Sequence, residues 1–401
     1  MKITQVETIR IEENPHLLWV RVYSDTGLVG LGETCLGPKA VEAYIHETAA
    51  PKLIGRDPLA IDRIARDLVG FLGFRSTGAE TRGNSAIDLA LWDLFGKAVG
   101  QPIAQLLGGF TRDKIRTYNT CAGVDYSGCV ATPKAPRLRY GGAATPPPGH
   151  DDLDAFTHRA GELAVELLAE GITAMKIWPF DPAAHRTNGQ YISAPDLAVA
   201  LAPFEKIREA VGERMDIMVE LHSLWQLLPA MQIARALAPF KPFWLEDPIK
   251  MDSLASLARF QAASPAPLCA SETLGSRGAF RDLLETGAAG VVMLDLSWCG
   301  GLSEARKIAA MAEAWHLPIA PHDCTGPVVL CASTHLALNA PNALVQESVR
   351  AFYRGWYREA VTAVPEVREG HISVPPGPGL GLELVPDFTN KFTSTCRVTP
   401  V

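Results

Sequence analysis

One unit of the chain decides its fold, and it spans residues 216–246, DIMVELHSLWQLLPAMQIARALAPFKPFWLE. Two short apolar runs, each closed by a glutamate, flank a segment whose apolar residues recur at helical spacing. A buried strand, an amphipathic helix and a second buried strand form the pattern of a parallel βαβ unit. The stretch therefore predicts parallel strands that end near Glu220 and Glu246.

The same alternation continues on both sides of this unit and gives eight apolar runs with seven crossover segments. Eight strands joined in this way are what a closed (β/α)8 TIM-type barrel requires. An open doubly wound sheet is the competing interpretation, but it usually carries a glycine-rich phosphate turn after its first strand, and none follows Asn119. The predicted strands are residues 115–119, 174–178, 216–221, 243–246, 268–270, 290–294, 317–320 and 344–346.

The first hundred residues have a different pattern and predict a separate α+β unit. A hairpin opens the chain, with Asp25-Thr26-Gly27 as turn residues, and helical spacing follows after Glu33. The tail after Ala351 is rich in Pro and Gly and is expected to pack back on this unit. The predicted strands cover residues 3–11, 17–23 and 28–31, and the predicted helices cover residues 41–53, 58–72 and 85–99.

These patterns divide the α/β chain into three parts. Residues 1–112 are the N-terminal part of an α+β domain, residues 113–350 form the barrel, and residues 351–401 are a C-terminal segment that returns to the first domain. Two long loops are predicted, at residues 121–152 after the first barrel strand and at residues 179–195 after the second. The first loop should hang over the catalytic face.

Composition and charge exclude several classes of protein. Apolar residues make up 47% of the chain and charged residues 20%, which is typical of a globular domain. The net charge of −7 is thinly spread and no Lys/Arg-rich run occurs, which argues against nucleic acid or a membrane surface as a partner. The chain has no apolar stretch long enough to span a bilayer and no signal-peptide pattern, so a cytoplasmic location is expected.

Acidic or imidazole side chains stand at the ends of strands three to eight. In a barrel these ends converge on one mouth. One strand-end glutamate is more often a helix cap or a surface ion pair, but three from adjacent strands repel one another unless a divalent cation compensates them. Carboxylates are ligands suited to Mg²⁺, so Glu220, Glu246 and Glu272 predict a metal site. The other strand-end residues are His222, Asp295, His322 and Glu347.

Several short motifs occur in order: WLEDP at 244–248, SET at 271–273, LD at 294–295, CGGL at 299–302 and PHD at 321–323. They resemble the enolase superfamily, specifically its mandelate racemase branch, and AIDLALWDL at 86–94 with LLGG at 106–109 resembles the capping domain of that family. The resemblance runs from the first strand to about residue 385. It implies a modified (β/α)8 barrel with a lid formed by both termini.

The resemblance also implies a role for each strand-end residue. The three glutamates resemble the Mg²⁺ ligands of the family. Asp295 and His322 resemble a dyad whose carboxylate orients the imidazole and raises its basicity, and Glu347 resembles an acid that hydrogen-bonds the substrate carboxylate or enolate. Such groups are needed because the α-proton of a carboxylate is very weakly acidic, so the enolate must be stabilised while a tuned base removes the proton.

Two positions depart from the family pattern. Position 220 is Glu where many relatives have Asp. Strand two reads Lys176-Ile177-Trp178 where racemase relatives carry Lys-x-Lys, whose second lysine is their other base. A two-base racemase is therefore disfavoured. Lys176 is expected to bind the substrate carboxylate or to form a buried salt bridge with a ligand carboxylate, which are compatible roles, and Trp178 is expected to form a wall of the pocket.

His222 points to the type of reaction. Residues two apart on a strand share a face, so His222 should point into the mouth beside Glu220 if the strand continues that far. The pattern resembles acid-sugar dehydratases of the galactonate type, in which a histidine at this place protonates the departing 3-hydroxyl. The alternative is that His222 has a structural role, which is more common for a lone histidine.

The combined prediction is a Mg²⁺-dependent dehydratase that converts a sugar acid into a 2-keto-3-deoxy acid. Its partner would be a small-molecule carboxylate, and the resemblance implies a homo-oligomer. Two rival functions remain open, namely a one-base cycloisomerase or epimerase of the same branch and a non-catalytic binding barrel.

Overall fold

The structure is a computed structural model that describes residues 1–71, 73, 76–124, 126 and 151–401. Two sheets carry the fold, and the predicted loop at residues 121–152 lies almost entirely outside the described residues. In chain order the strands are β1 (Ile3–Ile11), β2 (Leu17–Ser24), β3 (Val29–Cys35), β4 (Ile115–Thr120), β5 (Ala174–Ile177), β6 (Asp216–Glu220), β7 (Trp244–Glu246), β8 (Leu268–Ala270), β9 (Val291–Leu294), β10 (Ile319–Pro321), β11 (Gln346–Ser348), β12 (Glu366–Arg368), β13 (His371–Ser373) and β14 (Ser394–Pro400).

Helices fill the connections between these strands, and none that the structure describes is both long and apolar enough to cross a membrane. The helices are α1 (Pro38–Tyr44), α2 (Ala50–Leu53), α3 (Ile61–Val69), α4 (Ala79–Val99), α5 (Ile103–Leu106), α6 (Asp152–His158), α7 (Ala160–Ala169), α8 (Asp181–Thr187), α9 (Ala194–Val211), α10 (Leu227–Leu237), α11 (Leu254–Ala263), α12 (Ser276–Glu285), α13 (Leu302–Ala314), α14 (Pro327–Asn339), α15 (Arg350–Tyr353), α16 (Tyr357–Ala360) and α17 (Phe388–Lys391).

The barrel consists of eight parallel strands, one from each predicted apolar run. Strands β4 to β10 pair in chain order, and β11 pairs with β4. The ring closes on the other side because Ile319 exchanges backbone hydrogen bonds with Asn342 and Leu344. The predicted modified (β/α)8 barrel is therefore confirmed.

Burial on both faces explains why the barrel strands read as continuous apolar runs. Side chains such as Tyr118, Met218 and Trp244 fill the barrel interior, while the opposite faces of the strands pack against the helices. A strand enclosed in this way needs no polar face, so its sequence lacks the alternation of a half-exposed strand. Polar residues are then concentrated at the strand ends, where the mouth begins.

The capping domain is an antiparallel sheet covered by α4. Strands β1, β2 and β3 follow one another, and β14 from the C-terminus pairs with β1. Gly30 and Gly32 allow the close approach of the helix, because a Cβ at either position would lie 1.9 Å from the backbone oxygen of Ala90 or Ala86. The predicted capping domain built from both termini is confirmed.

The C-terminal tail also extends the barrel sheet, which the sequence did not indicate. Strands β12 and β13 form a hairpin, and β13 pairs antiparallel with β4 through Ile372 and Ile115. Further on, the backbone N–H of Leu380 donates to the Asp93 carboxylate of α4 over 2.8 Å. The tail therefore contacts both the barrel and the capping domain, while the domain boundaries after residues 112 and 350 stay a prediction.

The predicted loop at residues 179–195 is wrong in part, because it contains helix α8. Asp181 and Pro182 occupy the first two helical positions, where a carboxylate suits the helix dipole and a missing N–H is harmless. Asn188 ends the helix in the left-handed conformation, with φ of 50°. The flanking Pro and Gly residues favoured a loop and concealed this short helix.

Candidate active site

Three glutamates lie together at the mouth of the barrel. Glu220 and Glu246 are the last residues of neighbouring strands and stand opposite each other in the pairing of β6 with β7. Glu272 follows β8 by two residues. One oxygen from each carboxylate lies within 4.8 Å of the other two. Parallel strands in register thus bring together the three residues that the sequence predicted as metal ligands.

Without a cation, placing these three carboxylates together away from water is energetically unfavourable. Glu246 is fully buried and Glu220 is 3% exposed. Burial raises the pKa of Glu246 well above its usual value, and the charge of Glu220 raises it further. The pKa of Glu272 is also raised, with burial as the main cause. Three such oxygens form a donor set that fits a hard divalent cation.

Lys176 on β5 lies among these carboxylates. Its Nζ is 2.6 Å from Oε1 of Glu246, 2.8 Å from Oε1 of Glu347 and 3.7 Å from Oε2 of Glu220. Burial lowers the pKa of this ammonium, but Glu246 and Glu347 outweigh burial and hold the pKa well above its usual value. The structure therefore contains the buried salt bridge that was one of the two expected roles of Lys176.

His322 and Asp295 form a hydrogen-bonded pair next to Glu272. Nδ1 of His322 lies 2.7 Å from Oδ2 of Asp295, and its Nε2 lies 3.1 Å from Oε2 of Glu272. The other Asp295 oxygen accepts hydrogen bonds of 2.6 Å from the backbone N–H and the hydroxyl of Ser297. Burial lowers the pKa of His322, but Glu272, Glu347 and Asp295 together raise it to about 10. The geometry matches the predicted dyad.

His222 lies at the same mouth, although not for the reason expected. Strand β6 ends at Glu220, and His222 adopts a positive φ of 49° just beyond it. Its backbone N–H donates to Oε1 of Glu220 over 2.5 Å, and its Nδ1 is 2.8 Å from Oδ2 of Asp181. Burial lowers the pKa of His222, but Asp181 and Glu220 raise it to about 9. A backbone turn, not strand alternation, therefore positions this imidazole.

Trp178 forms a wall of aromatic rings beside His222. The indole is 6% exposed and meets the imidazole edge to face, with ring centroids 5.7 Å apart. Phe156 and Tyr126 contact the same indole with centroids 5.3 and 5.4 Å away. Trp178 carries no acid or base to this side of the mouth, in agreement with its expected role as a wall.

Glu347 is held from both sides of its carboxylate. Oε1 accepts hydrogen bonds from Lys176 and from the hydroxyl of Thr120, and Oε2 accepts one of 2.9 Å from the backbone N–H of Asp323. Burial raises the pKa of Glu347, but Lys176 and His322 outweigh it and lower the pKa overall. Glu347 is therefore a fixed anionic acceptor on β11.

A separate cavity of about 530 Å³ lies between the capping helices α3 and α4 and the barrel helices α12 and α13. None of the strand-end residues lines it. The buried Asp88 lines it and accepts a hydrogen bond of 2.9 Å from the backbone N–H of Ser303. The reactive side chains are elsewhere, so the barrel mouth is the candidate active site.

Sequence reasoning missed Asp181, Ser297 and Thr120. Each supports a predicted residue, since Asp181 contacts His222, Ser297 contacts Asp295 and Thr120 contacts Glu347. Ser297 stands two residues after Asp295, so its short spacing was a usable signal. Thr120 ends its strand as Glu220 and Glu246 end theirs, whereas nothing in the local sequence links Asp181 to His222.

Comparison with known proteins agrees with this geometry. Residues 6–108 match the mandelate racemase / muconate lactonizing enzyme N-terminal domain, and residues 159–388 match the enolase C-terminal domain-like family. A D-galactonate dehydratase of Ralstonia nicotianae is 31% identical over 96% of this chain and 92% of its own length. A D-xylonate dehydratase of Haloferax volcanii is 29% identical over 96% of this chain and 87% of its own length.

Solved structures show the same fold. An enolase of the mandelate racemase subgroup from Agrobacterium tumefaciens is 65% identical, has a TM-score of 0.88, and the match covers 100% of this chain and 99% of that one. The chain belongs to the mandelate racemase branch of the enolase superfamily. It is an enzyme of the hydro-lyase class, the class to which the curated dehydratases belong.

Proposed function

We propose that the protein is a Mg²⁺-dependent dehydratase of an aldonate-like sugar acid. It removes the proton at C2, expels the 3-hydroxyl as water and yields a 2-keto-3-deoxy acid. The observation that carries the proposal is the placement of two imidazoles, His222 after the third barrel strand and His322 after the seventh. These strands are opposite each other in an eight-membered ring, so a base and an acid can act on one substrate from two sides.

The metal is assigned to the three glutamates. Glu220, Glu246 and Glu272 would hold it, because their carboxylates, two buried and one partly buried, converge and need a compensating charge. When bound, a divalent cation supplies an electrophile for the substrate carboxylate, stabilises the negative charge of the enolate and offsets the anions that raise the pKa of His322. Lys176 adds positive charge on the β5 side and binds the substrate carboxylate while it keeps its salt bridges to Glu246 and Glu347.

His322 is assigned as the base. Its Nδ1 is occupied by Asp295, so Nε2 is the nitrogen assigned to take the C2 proton, in place of its 3.1 Å contact with Oε2 of Glu272. Ser297 fixes Asp295 with two hydrogen bonds, which keeps the imidazole in one orientation. Glu347, anchored by Thr120 and the Asp323 backbone, holds the Lys176 ammonium in place beside the substrate.

His222 is assigned as the acid. It protonates the 3-hydroxyl, the C3–O bond breaks and water leaves, while the electron pair of the enolate forms the C2=C3 double bond. The resulting enol then takes up a proton at C3 to give the keto acid. The curated relatives named for D-galactonate and D-xylonate support an aldonate as the substrate class.

A one-base epimerase or cycloisomerase is the rival reaction that the sequence alone left open. It would exchange the C2 proton without loss of a hydroxyl group. Trp178 replaces the base that a racemase would need on β5, and the dehydratase relatives also favour elimination. The two reactions give different products, so one assay separates them.

The test is incubation of the purified protein with Mg²⁺ and a panel of aldonates and aldarates, with assay of 2-keto acid formation. Proton NMR in D₂O follows exchange at C2 in the same samples. His322→Asn should abolish both signals, and the matched variant His316→Asn, an exposed histidine, should retain them. Keto acid formation by His322→Asn, or C2 exchange without elimination by the wild type on every substrate, would refute the proposal.

A further inference from the structure

We propose that Asp181 is the positioning residue that makes His222 the proton donor of the elimination. The site would then contain two Asp–His dyads, one for each proton transfer. This inference rests on the proposed dehydratase function and adds a residue that no strand-end motif contains.

The two dyads have matching geometry. Oδ2 of Asp181 lies 2.8 Å from Nδ1 of His222, and Oδ2 of Asp295 lies 2.7 Å from Nδ1 of His322. In both pairs the carboxylate occupies Nδ1, and Nε2 is the nitrogen assigned to the substrate. In His322 this nitrogen lies 3.1 Å from Oε2 of Glu272, a contact that the substrate would replace. Because one dyad follows the third strand and the other the seventh, the two Nε2 atoms belong to opposite sides of the ring.

A helix-capping role does not account for Asp181. The residue is the first of α8, where a carboxylate can accept from a backbone N–H, but within the described part of the chain its side chain bonds to His222. Its Oδ1 is buried and has no hydrogen-bond partner among the described residues. Burial of a carboxylate oxygen without a partner is energetically unfavourable. The hydrogen bond between Oδ2 and His222 compensates for part of this desolvation.

Asp181 decides which nitrogen of His222 faces the substrate. Trp178 packs edge to face against the ring, and the backbone N–H of His222 is bound to Glu220. These contacts restrict the ring plane but do not distinguish its two nitrogens. The Asp181 carboxylate accepts from Nδ1–H before and after proton transfer, so only the proton on Nε2 moves to the leaving hydroxyl.

The experiment distinguishes a role of Asp181 in protonation of the leaving group from any other role of this residue. Asp181→Asn is assayed on the aldonate that the wild type dehydrates best and on its 3-deoxy-3-fluoro analogue. Fluoride departs as an anion and needs far less help from an acid than hydroxide does. We expect keto acid formation from the aldonate to fall about 100-fold, in line with the loss of general-acid assistance, and fluoride release to stay within about threefold of the wild-type rate.

Two control variants are compared with Asp181→Asn. Asp196→Asn removes a carboxylate from the neighbouring start of α9, where it pairs with the exposed Arg186, and should leave both rates unchanged. Asp295→Asn weakens the base and should lower both rates. Solvent deuterium should still enter C2 of the aldonate in Asp181→Asn, since proton removal by His322 is intact.

Equal loss on both substrates, or no loss on either, would overturn the role of Asp181. If the wild type dehydrates an aldonate and Asp181→Asn gives one of these results, the inference alone fails. If the wild type dehydrates no sugar acid, the proposed function fails and the inference falls with it.

Discussion

The Nζ of Lys176 lies 2.6 Å from Oε1 of Glu246 at the centre of the barrel mouth. The same ammonium is 2.8 Å from Oε1 of Glu347, so one cation joins the second strand to the fourth and the eighth. All three side chains are buried. The group that is proposed to bind the substrate carboxylate therefore also stabilises the folded site, and the two effects should be separable with metal.

Replacing Lys176 with Met should destabilise the protein more in EDTA than in Mg²⁺. Removal of one partner from a buried ion pair costs about 3–5 kcal/mol because the remaining carboxylates lose their compensating charge. A bound cation restores part of that compensation. Urea unfolding in both conditions measures the difference, and Lys241→Met, which breaks an exposed pair with Glu213, should cost less than about 1 kcal/mol. An equal loss with and without Mg²⁺ would contradict the shared role.

Mg²⁺ should raise the free energy of unfolding of the wild type but not of Glu272→Gln. Binding to the folded state alone stabilises by about 2.7 kcal/mol at a hundredfold excess over Kd. Loss of one carboxylate removes a ligand and leaves two of the three donors. Thermal unfolding during a Mg²⁺ titration gives the comparison, with the exposed Glu285→Gln as the matched control. A full Mg²⁺ response in Glu272→Gln would rule out this metal site.

Asp295→Asn should lower C2 proton exchange at least 100-fold. The amide presents a donor to His322 and favours the tautomer with its lone pair on the wrong nitrogen. Ser297→Ala should have a smaller effect, about tenfold, because it removes one of two hydrogen bonds to Asp295. Exchange is measured by NMR in D₂O, and wild-type exchange in Asp295→Asn would show that His322 does not need this partner.

His335 should make the stability of the protein fall between about pH 6.5 and pH 4. Burial lowers its pKa from 6.5 to about 4, and it links the N–H of Ala104 and the carbonyl of Leu380 as a neutral ring. In this window the unfolded chain binds a proton that the folded chain does not, so acid favours unfolding and the contribution is complete only above about pH 6.5.

The measurement is the free energy of unfolding of the wild type and of His335→Gln from pH 4 to pH 7. On acidification the free energy of unfolding should fall by up to about 3 kcal/mol more in the wild type than in the variant. Subtracting the two pH dependences removes the contribution of the other titrating groups. Parallel pH dependences for the two proteins would show that His335 titrates normally.

Much of the fold was predictable because its signals are local. Each barrel strand is a short run of mostly apolar residues, and each of the eight predicted runs overlaps a strand, although the last shares only Gln346 with β11. Strand β14 was not predicted because most of its residues are exposed and its partner β1 lies at the other end of the chain. Helix α8 was not predicted because it is only seven residues long and is flanked by helix-breaking residues.

The predicted site residues could be named because a parallel barrel sends every strand end to one mouth. That rule covers Glu220 and Glu246, which end their strands, and Glu347, which is the next-to-last residue of β11. It does not cover contacts made by the loops and helices beyond the strands, which depend on how those segments pack. The assigned roles of all these residues stay predictions until the variants above are measured.

The sequence by itself determined the barrel, the capping domain and the residues that face the mouth, because hydrophobic periodicity and strand ends are properties of neighbouring residues. Only the tertiary structure decided that Asp181 meets His222, 41 positions further along the chain. That contact needs a short helix after one strand and a left-handed turn after the next. Both are set by packing around the mouth, which no local pattern records.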